Sequence, residues 1–130
     1  MARSIQPFLM FGGQASEATE FYVSLFPGAQ VERELYAAAD VGAEGSVKGG
    51  TLTILGQSVR FIDSPIQHEF SFTPAWSFFV ECEDEAEIDK LYAALSKSGA
   101  VLMALGAYGF SRKFGWVDDR FGVSWQLNLA

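Results

Sequence analysis

Near the C-terminus, Phe114-Gly115-Trp116-Val117-Asp118-Asp119-Arg120-Phe121-Gly122 brings an acidic turn and a glycine ahead of a strand, and that strand's alternate residues Ser124, Gln126 and Asn128 are polar. Side chains alternate between the faces of a strand, so these three share one face and Trp125 shares the other with Leu127. Earlier in the chain, Gly56-Gln57-Ser58-Val59-Arg60-Phe61 can be laid on Gly122-Val123-Ser124-Trp125-Gln126-Leu127, which sets Arg60 in the place of Gln126. A guanidinium near an amide and a serine can hold a carboxylate or phosphate through charge-assisted hydrogen bonds. The alternative is that Arg60 extends into solvent or pairs with a surface acid such as Glu32.

Other reactive residue types stand alone. His68, in the polar connector Gln67-His68-Glu69, reads as an exposed histidine, though a loop position leaves it available as an acid or base. Cys82 ends an apolar run and precedes Glu83, Asp84, Glu85 and Glu87. Those charges raise a thiol pKa and argue against a nucleophile. Asp118-Asp119 reads as a turn, because aspartate accepts hydrogen bonds from its own backbone. Gly12-Gly13 lacks the spacing of a dinucleotide fingerprint. Trp76, Trp116 and Trp125 are core or interface candidates; alternation turns Trp125 toward a helix, whereas Trp116 and Phe114 share a face that can line a cavity.

The elements that must position these residues follow from hydrophobic period. Ile5 to Phe11 is an apolar run closed by Gly12-Gly13 and reads as a strand. Ala18, Phe21, Tyr22 and Leu25 recur at helical spacing, and Pro27-Gly28 stops that helix. A strand over Gln30 to Tyr36 leads into Ala37 to Gly50, which has no period. Thr51 to Leu55 and Ser58 to Ile62 then flank a predicted turn at Gly56-Gln57. The order repeats. Trp76 to Val80 reads as a strand, and the acids at 83–87 open a helix that carries Ile88, Leu91, Tyr92 and Leu95 and ends at Gly99. Strands are predicted over Val101 to Ala107, Arg112 to Val117 and Val123 to Leu129. The expected architecture is α+β and a single domain, 1–130, with two strand-helix-strand-strand-strand modules at about 4–63 and 75–129 and a connector at about 64–74.

Composition narrows the function classes. A length of 130 residues suffices for a core without disulfides or structural zinc, and one cysteine with one histidine cannot build a Cys/His zinc site. A lone cysteine and no signal-peptide pattern give a cytoplasmic expectation. No apolar run approaches the roughly 20 residues that cross a bilayer, so no membrane association is expected. The net charge of -7 and the absence of a basic cluster disfavour a nucleic-acid partner. Twelve phenylalanines must be housed in a core, a subunit interface or an aromatic-lined cavity, and a homodimer is expected.

Four pieces of the chain carry a family resemblance: Ile5 to Phe11, Glu20 to Gly28, Trp76 to Val80, and the tail Gly115 to Leu127. With them the chain resembles the vicinal-oxygen-chelate (glyoxalase/bleomycin-resistance/extradiol-dioxygenase) superfamily, in its PhnB-like branch. The resemblance implies a U-shaped mixed sheet around a cavity with helices outside, completed as a homodimer. In metal-dependent relatives four inward-facing positions supply His or Glu to a divalent ion. By distance from the matching pieces those positions are Pro7, Arg60, Ser77 and Gln126 here. Proline has no ligating group, arginine is cationic, and serine and an amide are weak neutral ligands. No metal and no cofactor are therefore expected. Shifting register to Asp63 or Glu81 recovers a carboxylate, at the expected cost of disturbing strand alternation. The ligand-facing set becomes Arg60, Ser77, Gln126, Ser124, Phe11 and Trp116. Relatives of this branch carry a demethylubiquinone methyltransferase-like label, yet no S-adenosylmethionine site is legible in the sequence. The implied function is metal-free binding of a small molecule, anionic or carbonyl-bearing. The competing expectations are a metal-dependent isomerase, lyase or dioxygenase with other ligands, and a structural dimer whose cavity is filled by its own phenylalanines.

Overall fold

The computed structural model describes residues 1–130 and contains two helices and eight strands in two four-stranded mixed sheets. Two compact units divide the chain at Glu69/Phe70. The first unit holds β1 (Phe8–Phe11), α1 (Ala15–Leu25), β2 (Gln30–Leu35), β3 (Val47–Ile54) and β4 (Gln57–Asp63), with sheet order β1-β4-β3-β2. The second holds β5 (Phe78–Glu81), α2 (Glu85–Ser96), β6 (Ala100–Tyr108), β7 (Ser111–Asp118) and β8 (Ser124–Leu129), in the order β5-β8-β7-β6. In each, the first strand runs parallel to the last and the other pairs are antiparallel. The duplicated element order read from the sequence is thus matched by a duplicated topology.

Each helix covers one face of its own sheet. In the first unit α1 buries Ala15, Ala18, Thr19 and Tyr22 over the sheet face that carries Leu52 of β3 and Val59 and Phe61 of β4. This stripe is rotated from the predicted one, since Phe21 and Leu25 are only half-buried. Thr19 is the reason: its hydroxyl donates to Ala15 O at 2.7 Å, so a polar residue enters the core satisfied. In the second unit Ile88, Leu91 and Leu95 of α2 meet Val117, Trp125, Leu127 and Leu129. Gly50 and Gly115 hold corresponding places on the two buried faces, opposite Phe61 and Leu127. A Cβ on Gly50 would stand 2.4 Å from the Phe61 ring, and one on Gly115 would stand 2.9 Å from the Tyr92 ring.

Two buried aspartates hold the irregular backbone. Asp63, 2% exposed, accepts from Gly13 N at 2.8 Å and Ala15 N at 3.0 Å through Oδ1, and from Val47 N at 2.8 Å through Oδ2. It caps α1 from 48 residues away, where the adjacent Gln14 makes no side-chain cap. Asp119, 3% exposed, accepts from Phe121 N at 2.8 Å and Val123 N at 3.0 Å, and its Oδ2 accepts from the Trp125 indole at 2.9 Å. The predicted aspartate turn is therefore present, with Asp119 as its acceptor. By contrast α2 is capped locally: Asp84 accepts from Glu87 N at 2.8 Å, and Glu87 accepts from Glu83 N at 2.7 Å.

Several predicted boundaries move. The β3–β4 turn lies at Leu55-Gly56, one residue before the predicted pair, with φ of 49° and 82° and with Ile54 and Gln57 in register. Part of the predicted loose segment is strand, since β3 begins at Val47. The remaining loop is tied to Tyr36, whose N–H donates to Ser46 O and whose carbonyl accepts from Gly45 N. Ser98, at φ 60°, is the left-handed residue after α2; Gly99 is required instead by close approach, a Cβ there falling 2.1 Å from Asp118 O. No helix is long and apolar enough to cross a membrane.

Asp63→Ala leaves three backbone donors without their acceptor and is expected to lower unfolding free energy by about 3 kcal/mol or more in urea titration, on the scale of hydrogen bonds to a charged group. A loss below about 1 kcal/mol would show that the cap is dispensable. Cys82 is buried, and its thiol pKa is raised to about 11, first by burial and then by Glu87, with Glu81 and Asp84 adding. Its alkylation by iodoacetamide at pH 8 should run about a hundredfold slower than that of a free thiol, and should accelerate with each pH unit toward the thiol's raised pKa. Labelling at the free-thiol rate would contradict this placement.

Candidate functional site

Alternation on β8 separates two faces. Trp125, Leu127 and Leu129 are buried on the α2 side, and Gln126 and Asn128 are half-buried on the opposite, open face. Ser124 shares that face by alternation but is itself 1% exposed. Register places Gln126 beside Trp116 of β7 and Phe79 of β5, Asn128 beside Phe114 and Glu81, and Ser124 beside Asp118. Gln126 Nε2 donates to Ser77 Oγ at 2.8 Å, and Trp116 Nε1 donates to Ser124 Oγ at 2.8 Å. Four of the sequence-predicted site residues, Ser77, Gln126, Ser124 and Trp116, are therefore joined as two hydrogen-bonded pairs on one sheet.

The carboxylates separate clearly. Glu81 lies on the open face, two strand residues from Phe79, and accepts from Asn128 Nδ2 at 2.9 Å. The expectation that Glu81 disturbs the alternation is corrected here, because Ser77, Phe79 and Glu81 stand an even number of residues apart. Asp63 does lie on the helix side, with its carboxyl engaged by three backbone donors. Asp118, the register partner of Ser124, keeps Oδ1 buried without a hydrogen-bond partner in the chain. No three His, Cys, Asp or Glu side chains group as a metal-ligand set.

On the first unit Arg60 is exposed and lies opposite the buried face of Val59 and Phe61. Register places it between Phe8 and Thr51, with Glu32 beyond Thr51. The ion pairs of this unit are Arg33–Glu20 at 2.6 Å and Lys48–Asp40 at 3.6 Å; Arg60 forms none, with Glu32 or any other acid. Pro7 contributes through its backbone, its carbonyl accepting from Arg60 N at 2.9 Å. Phe11 is a correction: 3% exposed and in register with Asp63, it packs in the core with Leu9 and Phe61 rather than on the open face with Phe8. His68 is also less free than expected, being half-buried with Nε2 2.9 Å from Ser64 Oγ.

Aromatic residues unassigned by the sequence reading complete the open face of the second unit. Phe79 is 54% exposed and Phe110 67% exposed. Phe114 lies at the centre of a cluster, with ring centroids 6.4 Å from Phe79, 5.0 Å from Phe110 and 6.0 Å from Tyr108. Phe79 was legible in principle, since it lies two residues from Ser77. The Phe110 contact depends on the β6–β7 turn and its shifted register, which periodicity does not encode. Trp125 is core as expected, whereas Trp76 is 43% exposed, with its ring edge-on to Phe78 at 4.8 Å.

Comparison with known proteins agrees with this architecture. The family described as 3-demethylubiquinone-9 3-methyltransferase matches residues 3–128. The Bacillus cereus PhnB protein, whose 3-demethylubiquinone-9 3-methyltransferase description is provisional, is 49% identical with a TM-score of 0.95 over 98% of this chain and 100% of its own. The fosfomycin resistance protein FosX from Mesorhizobium loti shares the fold at 12% identity and TM-score 0.58, over 100% of this chain and 94% of its own. A glyoxalase/bleomycin resistance protein/dioxygenase from Alicyclobacillus acidocaldarius does so at 18% identity and TM-score 0.52, over 99% and 94%. No curated protein sequence is matched. On its sequence match, the chain belongs to the PhnB-like family that bears the 3-demethylubiquinone-9 3-methyltransferase description, and its duplicated topology is the fold of the glyoxalase/bleomycin resistance/dioxygenase protein.

Proposed function

We propose that the protein binds a small molecule on the open face of its second unit and does so without a metal. The observation that carries this reading is the bond between Gln126 and Ser77, because two of the four positions where metal-dependent relatives bear His or Glu are neutral here and satisfy each other. An amide and a hydroxyl so paired orient a ligand better than they hold a divalent ion. Exposed Phe79 and half-buried Trp116 supply apolar contact, backed by the buried ring of Phe114. In the first unit Arg60, exposed and without an ion pair, gives a capacity for an anionic group. A homodimer remains part of the proposal, since β6 is a nine-residue edge strand without a charged residue.

The family description names a methyl transfer, and one feature weighs against carrying it over. The glycine turn that leads into α1 has its Gly13 and Ala15 N–H groups occupied by the Asp63 carboxyl, so the chain's own buried acid already stands where an anionic cofactor would approach this strand-to-helix junction. A metal-dependent enzyme is the second reading, favoured by the presence of Glu81 on the open face.

Thermal unfolding distinguishes the two, because a ligand that binds the native state raises its melting temperature. Zinc, nickel, manganese and iron(II) at micromolar concentration should leave the melting temperature unchanged within about 1 °C. A rise of several degrees that Glu81→Gln abolishes would overturn the metal-free reading. For the arginine, Arg60→Met should weaken an anionic ligand by about 1.5 to 3 kcal/mol and leave a neutral analogue unaffected, as measured by calorimetry. Equal losses for both ligands would remove Arg60 from recognition.

A further inference from the structure

We propose that the open face of the first unit selects a zwitterion, a chain that brings a carboxylate to Arg60 and an ammonium to Glu32 and Glu34. The inference rests on the capacity of Arg60 for an anionic group and adds the second charge. Phe8, Arg60, Thr51 and Glu32 are successive register partners across β1, β4, β3 and β2. Leu9, Val59, Phe61 and Leu52, which alternate with them, are buried, so this row stands on the sheet face away from α1. Neighbouring strands lie about 4.8 Å apart, which sets the backbones of β4 and β2 about 10 Å from each other.

Neither charge of this row is neutralised within the chain. Arg60 and Glu32 are both exposed and form no ion pair across Thr51, and Glu34, two residues along β2 on the same face, forms none either. Arg33 stands between the two acids in sequence, but alternation turns it to the helix side, where it holds Glu20 of α1 at 2.6 Å. Lys48 is paired with Asp40 at 3.6 Å. Between the charged strands β3 presents small residues to the face: Thr53, Thr51 and Gly49, the last in register with Glu34. A Cβ on Gly49 would meet nothing within 4 Å, so the floor between the charges is low and open. It suits a methylene chain laid across the strands, and Phe8, 56% exposed, adds apolar surface beyond Arg60. A simple carboxylate engages Arg60 and leaves both acids unanswered, while a simple amine does the converse. A short zwitterion such as glycine holds its charges too close together to meet both strands.

The test is a nuclear magnetic resonance titration of the full chain at low ionic strength, reading the Gly49 and Thr51 amide signals, with 6-aminohexanoate, hexanoate, hexylamine and glycine as probes. 6-Aminohexanoate should shift both signals, and the other three should each bind about tenfold more weakly. The double variant Glu32→Gln, Glu34→Gln should lower 6-aminohexanoate to the hexanoate level, and Arg60→Met should lower it to the hexylamine level. Gly49→Leu, checked for a native circular dichroism spectrum, places a side chain on the open floor and should weaken 6-aminohexanoate while all three charges remain. Hexanoate binding as tightly as 6-aminohexanoate, with both weakened by Arg60→Met, overturns the zwitterion and leaves anion recognition by Arg60 in place. Hexylamine or glycine binding as tightly as 6-aminohexanoate also overturns it. Signals silent toward all four probes overturn both the zwitterion and the role of Arg60 in recognition, and sedimentation then shows whether a second copy of the chain covers the face.

Discussion

Buried aspartate carboxyls, one per unit, are the constraint on which the remaining structure depends. A module of this topology must turn from strand to helix and back several times, and each turn leaves backbone N–H groups that no ladder satisfies. Asp63 gathers three of them from the β1–α1 turn, the start of α1 and the start of β3. Asp119 gathers two from the turn before β8, together with the indole of Trp125. With those ends fixed, β4 and β8 have a defined register and therefore a defined face. A slip of one residue would send Arg60 or Gln126 into the helix-packed core.

That constraint also limits the chemistry. Asp63 is the one carboxylate of the first unit to which a displaced metal register would turn, and it is committed to the backbone. The open face of the second unit has Glu81, bonded to Asn128, and neutral groups around it. Its amides are engaged within the chain, Gln126 Nε2 with Ser77 Oγ and Asn128 Nδ2 with Glu81, and each amide keeps a second N–H and its carbonyl oxygen. Arg60 has the opposite character. Its charge is unpaired on the first unit, so the duplication has diverged in charge while conserving topology.

Much of this was legible in the residues. Period alone located both helices and most strands, and the glycine-anchored echo identified Arg60 and Gln126 as equivalent positions; both turn out to lie four and three residues into matching strands, β4 and β8. Alternation sent Trp125 to the helix side, where it is 1% exposed. The failures have specific causes. Thr19 was missed as a core residue because periodicity counts it as polar, whereas its hydroxyl is satisfied locally by Ala15 O one turn earlier in the helix, and the α1 stripe was consequently misrotated. Phe11 was assigned outward although its strand alternates with Phe8 and Met10, and its partner Asp63 lies on the buried side. The role of Asp63 joins residues 48 or more positions apart for two of its bonds, beyond the reach of any local pattern. The Phe110 contacts require the irregular β6–β7 pairing.

Whether these two carboxyls hold the backbone that presents the two faces is read by amide hydrogen exchange. The N–H groups of Ala15, Val47, Phe121 and Val123, all at element ends or in turns, should exchange only through global unfolding, as slowly as the strand amides of β4 and β8. Exchange at the rate of exposed loop amides would mean that the carboxyls do not hold these donors and that strand register is set by something else.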